Sequence, residues 1–118
     1  KPAISDYADN LVNLVGDIRK EFNVPDLPVV VGELGNGGPS KSDGNMRDFR
    51  EAQKAGTNRI KNAIFVQTTD FARPADLSPN VTHGHHWYGN AESYFLLGNA
   101  LGQAMMELLL PDSSRSRD

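Results

Sequence analysis

Leu27-Pro28-Val29-Val30-Val31-Gly32 is the stretch on which the fold turns. Its three consecutive β-branched residues show no alternation of apolar and polar positions, and proline and glycine bound them. Such a run is apolar on both faces and reads as a strand of a parallel sheet covered by helices on either side. A strand with one wet face alternates instead. Asn62-Ala63-Ile64-Phe65-Val66-Gln67-Thr68 has the same character, so the two strands are expected to lie parallel and adjacent or near-adjacent.

Helical periods flank both strands. Before the first, Tyr7, Leu11, Leu14, Val15, Ile18 and Phe22 recur at steps of three and four. This predicts an amphipathic helix capped by Ser5 or Asp6 and closed by Pro25 and Pro28. Between the strands, Gly35-Asn36-Gly37-Gly38-Pro39-Ser40-Lys41-Ser42-Asp43-Gly44 is dense in turn formers and is expected to be a mobile surface loop. A helix follows it, with Asn45 as cap, Met46, Phe49, Ala52 and Gln53 along one side, and an end near Gly56. The second strand leads into a long loop containing Pro74 and Pro79. The last helix is expected from Asn90 or Ala91 to Leu110, with Tyr94, Leu97, Leu101, Met105 and Leu108 on one face and Pro111 as its stop. Helix, strand, helix, strand, helix is a run of βα units. Two parallel strands cannot bury both faces or satisfy their edges, so the sheet is expected to continue in residues outside this chain.

Composition narrows the function. At 118 residues, 38% of them hydrophobic, the chain is one domain or a piece of one. Twelve basic residues against fifteen acidic ones give a net charge of −3, and no basic run precedes the tail, so the electrostatic footprint of a nucleic-acid binder is missing. No apolar run approaches the roughly twenty residues of a membrane span, and residues 1–20 contain no signal-peptide core. Neither nucleic acid nor a membrane is expected as a partner. The absence of cysteine excludes thiol catalysis, disulfides and thiolate metal sites.

Chemistry concentrates in Thr82-His83-Gly84-His85-His86-Trp87-Tyr88-Gly89-Asn90-Ala91-Glu92-Ser93-Tyr94, which holds all three histidines directly before a helix start. Imidazole exchanges protons near neutrality and is also the commonest metal ligand. Two readings therefore stand, acid–base catalysis and metal binding. For the second, His83, His85 and His86 offer three imidazoles and Glu33 or Asp70 a further ligand. Against it, adjacent His85 and His86 on an extended loop point to opposite sides and do not easily share one ion. Nothing resembles a helix-borne His-x-x-x-His.

A longer pattern then joins these pieces. Tyr7-Ala8-Asp9-Asn10-Leu11, Asp17-Ile18-Arg19-Lys20, Leu27-Pro28-Val29-Val30-Val31, Asn45-Met46-Arg47-Asp48-Phe49-Arg50-Glu51-Ala52-Gln53, Thr68-Thr69-Asp70 and His86-Trp87-Tyr88-Gly89-Asn90-Ala91-Glu92-Ser93-Tyr94 with Leu97-Gly98 follow one another in order. Together they resemble the C-terminal half of the sialate O-acetylesterase and acetylxylan esterase group of carbohydrate esterases, in the SGNH hydrolase superfamily. The resemblance runs from residue 5 to about residue 110, and its sharpest part is His86-aromatic-x-x-Asn90-Ala91-Glu92.

That resemblance implies a three-layer α/β/α, flavodoxin-like fold and a Ser-His-Asp arrangement that removes acetyl groups from sugar hydroxyls, without a cofactor or metal. Residues 1–110 correspond to the C-terminal part of the esterase domain and 111–118 to a polar tail. The nucleophilic serine and the oxyanion-hole groups belong to the N-terminal half, the expected partner of this chain. Ser5, Ser40, Ser42, Ser78 and Ser93 stand in no strand-to-helix nucleophile turn and read as cap or loop residues. His86 is the expected catalytic base and His85 its runner-up. The family's Asp three residues before the histidine is replaced here by His83, or by Thr82 if His85 is the base. Asp70, at the end of a strand where α/β sites open, is the preferred acid, ahead of Asp76.

Trp87 and Glu33 are candidate substrate-binding residues, Trp87 with Tyr88 by stacking on a sugar ring and Glu33 from the end of the first strand. The plainer alternatives are loop packing for the aromatics and a solvated carboxylate for Glu33. Arg73 either orients Asp70 or is a surface arginine, and Asn90 reads as an N-cap. The implied substrate is an acetylated carbohydrate and the implied location secreted or periplasmic. The contrasting possibilities are a histidine-rich metal-binding domain and a non-enzymatic piece that docks to its missing half.

Overall fold

The computed structural model describes residues 2–39 and 43–110, so the tail 111–118 and the loop positions Ser40, Lys41 and Ser42 lie outside the described residues. The elements follow in the order α1 (Pro2–Ser5), α2 (Tyr7–Glu21), β1 (Val29–Gly32), α3 (Gly44–Asn58), β2 (Ala63–Val66) and α4 (Ala91–Leu109), with three 3-10 turns between β2 and α4. It is a mixed α/β architecture, mostly helical, around a two-stranded parallel sheet.

The strands pair as expected, Val29 opposite Ala63 through Gly32 opposite Val66. They are shorter than their apolar runs. At the start Pro28 has no N–H to donate, and the Leu27 carbonyl is taken by the Arg19 guanidinium at 2.6 Å. At the far end the Thr68 N–H turns away to the Glu33 carboxylate at 2.9 Å. A Cβ at Gly32 would lie 3.3 Å from Leu101, so Val30, Gly32, Ile64 and Val66 share the face toward α4. Val29, Val31, Ala63 and Phe65 point the other way. The expectation of strands buried on both faces is not met, because all eight strand residues keep intermediate exposure. Each strand here has one neighbour and incomplete cover.

The helices depart from expectation mostly at their starts. Asp6 occupies the cap position of α2 but makes no capping hydrogen bond, because α1 delivers the chain already helical there (φ −88, ψ −10). Asp43, not Asn45, caps α3, accepting from the Met46 N–H at 3.1 Å. The helix ends at Asn58, close to the expected end, and Gly56 itself serves packing. A Cβ there would stand 3.1 Å from Ala8 Cα and 3.2 Å from its carbonyl oxygen, so its bare backbone is what lets α2 and α3 approach. The Tyr7 and Phe49 rings meet edge to face across the same seam, centroids 4.6 Å apart.

The glycine-rich segment after β1 is not an open surface loop over its described part. Gly35, Asn36 and Gly38 are buried. The polar inner side of α3 holds them: Arg50 donates to the carbonyls of Leu34 (2.8 Å) and Gly38 (3.3 Å), and Gln53 bridges the Leu34 N–H (2.8 Å) and the Gly32 carbonyl (3.3 Å). Turn composition there specifies a tight path, and side chains from a helix supply the partners.

Candidate active site

His85 and His86 lie in a 3-10 turn, Gly84–Gly89, and His83 stands at its cap position, all between Asn80 and the start of α4. The turn is not the extended loop expected from sequence, and its rings do not point apart. His85 and His86 sit 4.3 Å apart by ring centroid, and His83 and His85 5.7 Å. After His86 the backbone changes hand. Trp87 and Tyr88 have φ of 53 and 54°, and Gly89 follows at 66°. Left-handed geometry costs a bulky L-residue roughly 1–2 kcal/mol, so two in succession survive only where the surroundings over-determine them.

Hydrogen bonds supply that determination. The Tyr88 N–H donates to the His83 carbonyl (3.0 Å), the Asn80 N–H donates to the Tyr88 carbonyl (2.9 Å), and the Tyr94 hydroxyl donates to the His86 carbonyl (2.8 Å). The His83 ring is engaged locally, with Nδ1 2.6 Å from Asn80 Oδ1 and 2.9 Å from Thr82 Oγ1. His85 and His86 are exposed. Among the described residues no three His, Asp or Glu side chains lie where they hold one metal ion.

Asn90 caps α4 as expected, accepting from the Ser93 N–H at 3.1 Å while its Nδ2 donates to Ser78 Oγ at 3.0 Å. Asn90→Ala removes both bonds. It is expected to lower the unfolding free energy by about 1–2 kcal/mol, measured by chemical denaturation, because a lost cap alone costs about 1 kcal/mol.

Asp70 stands in the 3-10 turn Thr69–Phe71, directly beyond β2, and is exposed. No hydrogen bond among the described residues links its carboxylate, or that of Asp76, to a histidine ring. The turn itself is tied to α4 from below. Ser93, with no exposed surface, donates its hydroxyl to the Phe71 carbonyl at 2.7 Å. Ser93 is therefore a packing bolt, and Ser78 donates to the Pro74 carbonyl (2.7 Å). Ser40 and Ser42 lie outside the described residues.

Glu33 is half-buried, borders a small cavity with Arg47 and Thr69, and is engaged within the fold. Its Oε2 accepts from the N–H groups of Thr68 (2.9 Å) and Thr69 (3.2 Å), and its own carbonyl accepts from the Thr68 hydroxyl (2.8 Å). It thus binds the end of β1 to the turn that carries Asp70. Arg73 reaches Glu92 at 3.0 Å, not Asp70, whose carbonyl alone it touches (3.2 Å). The hydrogen bond to Arg73 and its positive charge lower the Glu92 carboxyl below the ordinary carboxylate value. Neither side of this pair carries a signal in sequence, since the two residues are nineteen positions apart.

Trp87 is half-buried, and Tyr88 folds back over Gly84. A cavity of about 330 Å³ opens beside Tyr88, walled by Gly37, Gly38, Ala72, Arg73 and Pro74. It joins the turn after β1, the loop after β2 and the histidine turn. A larger cavity of about 540 Å³, between α1, α2 and α3, contains none of the histidines and neither Asp70 nor Glu33.

No helix among the described residues is long and apolar enough to cross a membrane. No curated protein and no solved structure matches the chain. A family model described as carbohydrate esterase, sialic acid-specific acetylesterase, matches residues 1–107, a span that takes in both strands, the Glu33 clasp and the whole histidine turn. By that match the chain belongs to the sialic acid-specific acetylesterase family of carbohydrate esterases.

Proposed function

We propose that the chain forms the histidine-bearing part of a serine acetylesterase that removes O-acetyl groups from sugars. The observation that carries this reading is the turn of reversed hand that leads into α4: it exposes His86 and, two residues on, sets Tyr88 against the cavity between the loops that follow the two strands. Strain of this kind concentrates where a side chain must be aimed. His86 accepts the proton of a serine hydroxyl as that oxygen attacks the acetyl carbonyl, then returns it to the departing sugar oxygen. A water, deprotonated by the same imidazole, next attacks the acetyl-serine and releases acetate and the free serine. Asp70 serves as the acid that orients the imidazole, and Trp87 borders the sugar.

The serine and the oxyanion-hole donors come from an N-terminal half, and the complete domain is a three-layer α/β/α fold in which residues 1–110 form the C-terminal part and 111–118 a tail. Exposed apolar stripes support this. Leu14 and Ile18 line one side of α2 and Phe22 caps its end, and Phe95, Met106 and Leu109 line one side of α4, with Phe22 and Phe95 70% and 72% exposed. Asn36 Oδ1, buried without a hydrogen-bond partner among the described residues, is an acceptor open to a donor from the N-terminal half. A secreted or periplasmic location accords with polymeric or surface-borne sugar substrates.

The test is hydrolysis of an aryl acetate by the purified chain, alone and mixed with a separately produced N-terminal half. No turnover above the uncatalysed rate is expected for the chain alone, and turnover is expected on mixing. Robust hydrolysis by the chain alone overturns the division of labour.

A further inference from the structure

Two neighbouring residues at the start of α4 hold, respectively, the acid-bearing turn and the base-bearing turn. Ser93 is wholly buried and donates to the Phe71 carbonyl (2.7 Å), one residue beyond Asp70. Tyr94, next along the helix and 46% exposed, donates to the carbonyl of His86 itself (2.8 Å). Consecutive helical positions diverge by about 100°, so one side chain enters the core while the other lies along the surface. The helix turn between them is stiffened by the Asn90 cap, which accepts the Ser93 N–H.

Tyr94 grips the chain at a particular point. The His86 carbonyl is the last before the left-handed pair Trp87–Tyr88, so a hydrogen bond there fixes the peptide from which the reversal starts. The other bonds that hold the reversal, from the N–H groups of Tyr88, Asn80 and Asn90, are backbone to backbone. Among the described residues Tyr94 is the one side chain donating to the backbone of the Gly84–Gly89 turn. A half-exposed tyrosine does not need this bond for its own sake, since water can satisfy its hydroxyl.

We infer that Tyr94 is a positioning residue for the esterase reaction: its hydroxyl aims the His86 imidazole, while Ser93, through Phe71, holds the Asp70 turn at a fixed separation from it. The inference rests on the reading of His86 as the base. The first turn of α4 acts as a spacer between base and acid. Losing a single positioning contact displaces a reacting group by a fraction of an ångström, and near-attack geometry makes such shifts costly in rate.

The experiment uses the catalytically competent form, the chain joined to its N-terminal half, with an aryl acetate as substrate. Tyr94→Phe removes one oxygen from a half-exposed site and leaves the ring. We expect kcat to fall about tenfold with KM within about twofold, the split that marks lost orientation and not lost binding. In a His86→Ala background the same change is expected to cost nothing further, because Tyr94 acts only through His86. Ser93→Ala is expected to lower kcat as well, and also the unfolding midpoint, since it removes the partner of the part-buried Phe71 carbonyl. An unchanged kcat in Tyr94→Phe, while His86→Ala still abolishes turnover, overturns the inference alone. Equal losses from Tyr94→Phe in the presence and absence of His86, or a loss matched by a fall in unfolding midpoint, also overturn it. Full turnover in His86→Ala overturns the underlying reading instead.

Discussion

His86→Ala is expected to lower the turnover of an aryl acetate by the complete esterase by on the order of 10³-fold or more, the scale seen when a member of a serine–histidine triad is removed. Without the imidazole, nothing takes the serine proton at neutral pH or hands it to the leaving alkoxide. His83→Ala is expected to cost far less. Its ring faces Asn80 and Thr82, within its own turn, and its removal leaves the His86 backbone tethered to Tyr94. His85→Ala is the discriminating control, because its ring lies 4.3 Å from that of His86 and His85 too is exposed. A variant set in which His86→Ala keeps its rate while His85→Ala loses it transfers the role to His85. Steady-state kinetics on the three variants, with KM and kcat separated, decides between them.

Gly35→Ala is expected to be the most damaging single change to the fold, with a loss on the order of 3 kcal/mol or more, or failure to accumulate as folded protein. A Cβ at this buried position overlaps the Thr68 hydroxyl and comes within 2.6 Å of the Thr68 carbonyl carbon and 2.7 Å of the Thr69 nitrogen. Two of these three atoms are backbone, so no rotamer change relieves the clash. What moves instead is the Thr68–Thr69 segment, which carries both hydrogen bonds to the Glu33 carboxylate and leads into Asp70. The variant therefore breaks the clasp between the two strand ends. Denaturant unfolding of Gly35→Ala beside the parent protein measures this, and an unchanged midpoint refutes the steric argument. A Gly16→Ala control, at a helical position with nothing within 4 Å of the added carbon, is expected to be neutral or stabilising.

Physical locality separates what the residues alone revealed from what needed coordinates. The parallel pairing of Val29–Gly32 with Ala63–Val66 was legible because an uninterrupted β-branched run has one stable environment. Asn90 was legible as a cap because it stands immediately before a long apolar helix. The cap of α3 was misassigned from Asp43 to Asn45, two residues with the same hydrogen-bonding chemistry two positions apart. The structural role of Glu33 was hidden for a different reason: its partners, the N–H groups of Thr68 and Thr69, are thirty-five and thirty-six residues away and are met only when the strands align. The reversed backbone at Trp87 and Tyr88 had no signature at all, since left-handed turns are read from glycine or asparagine and these are two large aromatics. At the candidate site, the clustering of the histidines was visible in order and spacing. The close approach of their rings, the engagement of His83 with Asn80 and the tether from Tyr94 were not, because each depends on how a short turn bends.

On the proposed division of the esterase domain, the sparse interior has a thermodynamic consequence for the chain and the half that completes it. Among the described residues the buried apolar side chains are Val15, Ile60 and Ala104, while a dozen large apolar residues stand exposed. A core of that size offsets little of the roughly 1–2 kcal/mol of backbone entropy lost per ordered residue. Ordering and association then become one linked equilibrium. The stability of either half depends on the free concentration of the other, rising by RT ln(1 + [L]/Kd), so that the unfolding midpoint is a function of protein concentration and not a fixed property of the sequence. Wherever the two halves share one polypeptide, the linker replaces that dependence with a constant effective concentration, typically millimolar for a short flexible connection. Covalent continuity, on this account, is itself a stabilising element of the esterase domain.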